Sequence, residues 1–160
     1  MAKVYLETSF ISACVTDRTD PASIYRRDCS LDWWDMQRSR YQLVVSNEVI
    51  AELSHPIFPL REAALAFITA VTVLPMTDEM VGLAEVFVRQ RVMPGPLHGD
   101  CLHVATATIA GVEYMLSWNV RHLANPNKTR HLAAVCLKFG LVPPRIVTPD
   151  LLWEDDDGNS

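Results

Sequence analysis

No run of apolar residues in this chain is long enough to span a bilayer. The amino terminus, Met1-Ala2-Lys3-Val4-Tyr5-Leu6-Glu7, has neither the apolar stretch nor the small-residue cleavage site of a secretory leader. These two absences set the expectation of a cytosolic, cytoplasmic protein. Cysteine is sparse and dispersed. Cys14, Cys29, Cys101 and Cys136 show none of the close paired spacings of zinc sites or redox motifs, so reduced and mostly buried thiols are expected. A basic excess is also missing. The formal net charge of −5 argues against holding nucleic acid by bulk electrostatics, which needs a cationic face to displace counterions. There are no internal repeats and no low-complexity segment.

What is present is an ordinary globular composition: 160 residues, 49% hydrophobic and 21% charged. That length supports one domain with a substantial core and is too short for two. The expected organisation is a single domain over residues 1–153 followed by an acidic, disordered tail over 154–160. Glu154, Asp155, Asp156 and Asp157 carry four of the excess negative charges, which leaves the body near neutral. Basic residues in the body are clustered: Arg26 with Arg27, Arg38 with Arg40, Arg89 with Arg91, and a group from Arg121 and His122 to Lys128, Arg130 and His131. Solvated surface charge accounts for any one cluster. Only a shared face would turn them into a binding surface.

Short apolar or β-branched runs at 4–6, 43–45, 71–74, 114–116 and 146–147 have the character of strands buried on both faces. Between them the pattern predicts helices over 25–38, 47–54, 60–70, 78–89, 100–110 and 129–139. Ser46 and Thr77 are placed as N-caps, Pro59 stands before a helix, and Gly111 and Gly140 follow helix ends. Strands alternating with helices imply parallel pairing through right-handed crossovers, hence an α/β fold: a three-layer α/β/α sandwich with a central, mainly parallel sheet. In such sheets ligands bind beyond the carboxyl ends of the strands. Polar residues at those ends are the candidates for function.

Glu7 ends the first strand and is followed by Thr8 and Ser9. A carboxylate there must be solvated, paired or metal-bound, or it caps the next helix, a role less natural for Glu than for shorter side chains. Glu48 and Glu52 share one helix face. The helix dipole accounts for Glu48 in the first turn, whereas Glu52, at the edge of the buried side, has no such explanation. Asp100 opens a helix that is apolar nearly all round, where it would serve as an N-cap or as a ligand. His103 lies one turn on. A lone His on such a helix is more often a satisfied core residue, so it is a candidate only for supporting a ligand. Asn119 follows the fourth strand, with Arg121 and His122 beyond, and is either a turn residue or a fourth member of the set. The topology delivers Glu7, Glu52, Asp100 and Asn119 to one edge of one sheet. Oxygen-only ligands of this kind suit Mg²⁺ or Mn²⁺, ions that activate water and stabilise charge on a phosphoryl group.

The segments Val4-Tyr5-Leu6-Glu7-Thr8-Ser9, Ser46-Asn47-Glu48-Val49-Ile50-Ala51-Glu52-Leu53, Asp100-Cys101-Leu102-His103-Val104-Ala105-Thr106-Ala107 and Ser117-Trp118-Asn119-Val120-Arg121-His122-Leu123-Ala124-Asn125 stand in the order and spacing of PIN domains. More narrowly, the chain resembles the VapC-type toxins of type II toxin–antitoxin pairs, over nearly its whole length. The resemblance implies a PIN-like fold and a metal-dependent endoribonuclease that hydrolyses RNA phosphodiester bonds. It also implies a homodimer held inactive by a cognate antitoxin. By position it makes Glu7, Glu52, Asp100 and Asn119 the catalytic set, with Glu7, Asp100 and Glu52 as metal ligands and Thr8 or Ser9 assisting. Arg121 and His122 are added as weaker RNA contacts, and the aromatic content around Trp33 and Trp34 as support for a dimer. The family most often has Asp at the position of Glu7, and many members have an acid at that of Asn119. A PIN-like RNA- or protein-binding module without nuclease activity is the alternative. A haloacid-dehalogenase-type phosphotransferase needs an Asp nucleophile after its first strand and a second acid two residues on, and Glu7-Thr8-Ser9 supplies neither.

Overall fold

Five short strands form one sheet in the order β3-β2-β1-β4-β5, and every neighbouring pair is parallel. The computed structural model describes residues 1–156. In chain order the elements are β1 (Lys3–Leu6), α1 (Thr8–Val15), α2 (Pro21–Gln37), β2 (Gln42–Ser46), α3 (Asn47–Leu53), α4 (Arg61–Phe67), β3 (Thr72–Leu74), α5 (Asp78–Arg89), α6 (Asp100–Ile109), β4 (Tyr114–Leu116), α7 (Val120–Leu123), α8 (Pro126–Leu137) and β5 (Arg145–Val147). The sheet is thus wholly parallel within the expected α/β/α sandwich. No helix among the described residues is long and apolar enough to cross a membrane.

The chain winds outward from β1 through β2 to β3, then returns to lay β4 and β5 on the other side. The reversal falls between β1 and β4, and a crevice opens there because the connections leave in opposite directions. Both strands are apolar and buried at their carboxyl ends: Tyr5, Leu6, Met115 and Leu116 are inaccessible to solvent. The backbone stays paired for one residue beyond each strand, with the Glu7 amide donating to Leu116 O at 3.0 Å and the Ser117 amide to Val147 O at 3.0 Å. The polar residues that follow are therefore held as firmly as the strands.

Burial on both faces applies to β1 and to the carboxyl half of β2, and not to the edge strands. Thr72 and Val73 of β3 and Arg145 of β5 are exposed, since an edge strand here has a partner on one side only. Two helices escape the periodicity reading. α1 is only eight residues long, and α7 has four, too short for a 3.6-residue period to stand out. α2 begins at Pro21, capped by Asp20 on the Ser23 amide, and α8 at Pro126, capped by Asn125 on the Lys128 amide. Each starts earlier than the apolar pattern, and no residue of its first turn is buried. Ser46 and Thr77 cap α3 and α5 as expected, through the amides of Val49 and Met80.

Trp33 is wholly buried and donates its indole N–H to Leu152 O at 2.7 Å. It stacks on Tyr41 and meets Phe10 edge-on. Trp34 packs against Phe67, with ring centroids 4.3 Å apart. Trp33 is thus part of the core and lends no surface to a dimer, while Trp34, packed on Phe67, is half-buried. The acidic segment expected to be disordered is, over Glu154 to Asp156, hydrogen-bonded to the body: Gln37 exchanges two bonds with the Glu154 backbone, and Arg40 pairs with Glu154 and Asp156. The rest of that tail, 157–160, lies outside the described residues.

Candidate active site

Glu7 leaves β1 at the crevice and caps α1, its carboxylate accepting the Ser9 amide at 2.8 Å. The same oxygen, Oε2, accepts the hydroxyls of Ser9 and of Ser117, the latter at 3.0 Å. Glu7 is only 5% exposed. Burial raises its pKa, although the nearby His103 charge and the serine donors oppose the shift. The residue therefore does both of the jobs proposed for it: it caps a helix, and it presents a poorly solvated carboxylate at the strand end.

Glu52 sits one turn into α3 and half-buried. Its Oε1 accepts Thr8 Oγ1 at 2.5 Å and pairs with His103 Nε2. His103 is wholly buried, and its other ring nitrogen lies 2.6 Å from the Tyr5 hydroxyl, which lies 2.6 Å from Ser46 Oγ. Ser46 is also the cap of α3. A closed chain of bonds thus runs from the start of α3 through Tyr5 and His103 back to Glu52 on the same helix. Burial lowers the His103 pKa, but the bond to Glu52 and the charges of Glu52 and Glu7 outweigh it, and the net direction is upward. Burial likewise raises Glu52, and His103 and Thr8 pull it below its ordinary value. An imidazolium here donates both N–H groups, one to Glu52 and one to the Tyr5 oxygen, and leaves Tyr5 to donate to Ser46.

Asp100 is the first residue of α6 rather than its cap. The N-cap is Gly99, at φ 79° and ψ −138°, and no side chain caps this helix. The cap reading offered for Asp100 is therefore corrected. Among the described residues its only side-chain partner is the Asn119 amide, 3.4 Å from both carboxylate oxygens. Asn119 is in turn tied to the Glu7 cluster, since its backbone amide donates to Ser117 Oγ at 2.9 Å. Glu48 acts on the same helix start by accepting the Gly99 amide at 2.9 Å.

Hydrogen bonds thus link Glu7, Thr8, Ser9, Glu52, His103, Asp100 and Asn119 into two adjoining groups at the crevice between β1 and β4. Arg121 and His122 follow on α7 but are exposed; the His122 amide donates to Asn119 O at 3.2 Å, and among the described residues neither side chain bonds to either group. Sequence reasoning missed the roles of Tyr5, Ser117 and Ser46 beyond capping, and of Glu48 beyond the helix dipole. A signal existed for Tyr5, because a hydroxyl inside a buried strand must find a partner. For Ser117 there was none.

The donor set fits a hard divalent cation by its chemistry. Glu7 is a buried carboxylate held only by hydroxyl and amide donors, and Asp100 has no cationic partner within the described residues. No three His, Cys, Asp or Glu residues among those described are gathered closely enough to hold an ion as they stand.

No family model matches the sequence, and no curated protein matches it. Solved structures do. VapC20 of Mycobacterium tuberculosis, a sarcin–ricin-loop-cleaving toxin, superposes with a TM-score of 0.58 at 21% identity, covering 76% of this chain and 93% of that one. The chain shares the PIN-like fold of the VapC toxins. VapBC2 from Rickettsia felis, bound to a fragment of its promoter DNA, gives 0.59 at 12% identity over 95% of this chain and 99% of that one. VapBC-1 from nontypeable Haemophilus influenzae gives 0.58 at 13% identity over 92% and 98%. Likeness to VapC at these identities is a likeness of backbone. The chemistry rests on the residues described above.

Proposed function

We propose that this chain is a divalent-metal-dependent endoribonuclease acting in the cytosol as the toxin of a toxin–antitoxin pair. The observation that supports it best is that Glu7, Asp100 and Asn119, drawn from three separate segments, are joined through Ser117 where the sheet reverses direction, with Glu52 in the adjoining group bonded to Thr8 and His103. Glu7, Glu52 and Asp100 are the residues that would hold Mg²⁺ or Mn²⁺. When bound, such an ion supplies an activated water and neutralises charge developing on a phosphoryl group. The chain's own contribution is orientation. Ser9 and Ser117 fix Glu7, the Tyr5–His103 pair fixes Glu52, and Asn119 steadies Asp100. Arg121 and His122, exposed just past Asn119, would meet RNA phosphates at the rim. The VapBC likenesses support an antitoxin partner, and a homodimer is proposed from the resemblance of the sequence to VapC-type toxins.

Cleavage of RNA by the purified protein should require Mg²⁺ or Mn²⁺ and stop on addition of a chelator. Cleavage that survives chelation, or that needs only zinc, overturns the assignment. A second reading, a PIN-like binding module without nuclease activity, has one observation in its favour: the acids are not gathered as they stand. RNA binding without cleavage across a manganese titration would select it.

A further inference from the structure

A cleft of about 390 Å³ opens beside the carboxylate cluster, bounded by α1, the start of α2, the connector 54–60 and Trp118. Its volume lies within the range of sites that take a small planar group. Its lining is mainly apolar, contributed by Ala13, Phe58, Leu60 and the indole of Trp118, with Arg18 and Arg26 also at the surface of the cleft. Asp17 lines it too, and Arg18 is engaged with Asp20 at 3.5 Å. Among the described residues Arg26 forms no ion pair. Its guanidinium stands 5.8 Å from the Trp118 ring centroid.

Trp118 is held as a platform. Its indole N–H donates to the buried Ser30 hydroxyl at 2.8 Å, its backbone amide donates to Ser9 Oγ at 2.8 Å, and Tyr25 meets it edge-on. With its polar edge spent inside the protein, the half-buried ring lines the cleft with π surface rather than a hydrogen-bonding group, and the Arg26 guanidinium stands over it. Ser9, which lines the cleft, also donates to Glu7. One serine therefore separates the indole from the reacting centre.

We propose that this cleft is a nucleobase subsite, which seats the unpaired base next to the scissile phosphate of an RNA strand on Trp118, with Arg26 meeting the adjoining phosphate. The inference rests on the ribonuclease reading. Stacking of this kind discriminates little among bases, because every base has a π-face. The subsite accordingly requires a single-stranded or flipped nucleotide, and sequence preference must come from elsewhere on the surface.

The test is binding of a fluorescein-labelled oligoadenylate of about ten nucleotides to the full chain with chelator present, followed by anisotropy. An abasic strand of the same length serves as the control. Trp118→Ala should weaken oligoadenylate binding about tenfold and leave the abasic strand unaffected, while Trp118→Phe should stay within about threefold of wild type. Arg26→Ala should weaken both strands and reduce the salt dependence by about one phosphate contact. In the wild-type protein, the Trp118 indole N–H resonance should shift with oligoadenylate and not with the abasic strand. Equal binding by wild type and Trp118→Ala, equal loss of both strands, or an unmoved indole resonance overturns the subsite. Cleavage without Trp118 coupling would sink the subsite and spare the nuclease. Coupling without cleavage would do the reverse.

Discussion

At Asp100 the side chain has little structural work: it caps nothing, and its one partner is an amide at 3.4 Å. In the proposed site it would share an ion with Glu7 and Glu52, and carboxylates that converge without a metal destabilise the fold by mutual repulsion. Asp100→Asn should therefore leave the metal-free melting temperature unchanged or raise it, by on the order of 1 kcal/mol, and abolish stabilisation by millimolar Mn²⁺, since an ion stabilises only through affinity for the native state. Melting curves of both proteins with and without Mn²⁺ decide this. A lowered metal-free melting point with an intact Mn²⁺ response would remove Asp100 from any metal site. His103 presents the contrary case. It is buried and bonded at both nitrogens, so His103→Gln should cost on the order of 3 kcal/mol. The pair's contribution has a pH window. His103 is raised above its ordinary 6.5, so its share is complete below that value and is lost as pH climbs through the raised pKa. Glu52 is lowered below its ordinary 4.5, so its share is complete above that value and is lost as pH falls through the lowered pKa. The stability gap between wild type and His103→Gln should be widest between those two values and narrow toward alkaline pH. A gap that widens with alkalinity instead means that His103 is neutral in the native protein.

The start of α6 is the element on which the site depends most. Asp100 is aimed by the turn at Gly99, whose φ of 79° and ψ of −138° suit glycine and few other residues. A Cβ added there meets nothing within 4 Å, so the penalty of Gly99→Ala is conformational rather than steric, about 1–3 kcal/mol. The Gly99 amide, bonded to Glu48, should lose hydrogen-exchange protection in the variant. Unchanged stability and unchanged protection would show that the loop relaxes freely and that Glu48 does not set the position of Asp100. The α3 start is braced differently. Its Ser46 cap and its Glu52 are joined through Tyr5 and His103, so β1, α3 and α6 are tied together by polar bonds through the core. In the sequence this appears only as a cap signal, a strand tyrosine and a helix histidine, far apart and individually unremarkable.

For the molecule as a whole, Trp33 can contribute nothing to association because it is buried in the core, and Trp34 is half-buried against Phe67. The dimer remains a proposal from the resemblance of the sequence to VapC-type toxins. Light scattering at micromolar concentration should give twice the monomer mass, and a monomer there would refute the dimer without touching the nuclease. Net charge acts at this scale as well. With a formal charge of −5, RNA is repelled at long range, so binding should depend on a local patch around Arg26, Arg121 and His122 rather than on the overall field.

The residue order alone determined the fold class and the edge of the sheet at which to look. Strands 4–6, 43–45 and 114–116 are apolar throughout because both faces are covered, and that pattern is local. The carboxylates of Glu7, Glu52 and Asp100 were legible as candidates because a charge at the end of a buried run costs free energy unless something compensates it. Tertiary structure decided the partners. Whether Asp100 caps its helix depends on a backbone turn one residue earlier, and whether His103 is inert depends on a tyrosine 98 positions away in sequence. Hydrogen bonds of that kind are fixed by distances between elements, which no periodicity within an element encodes.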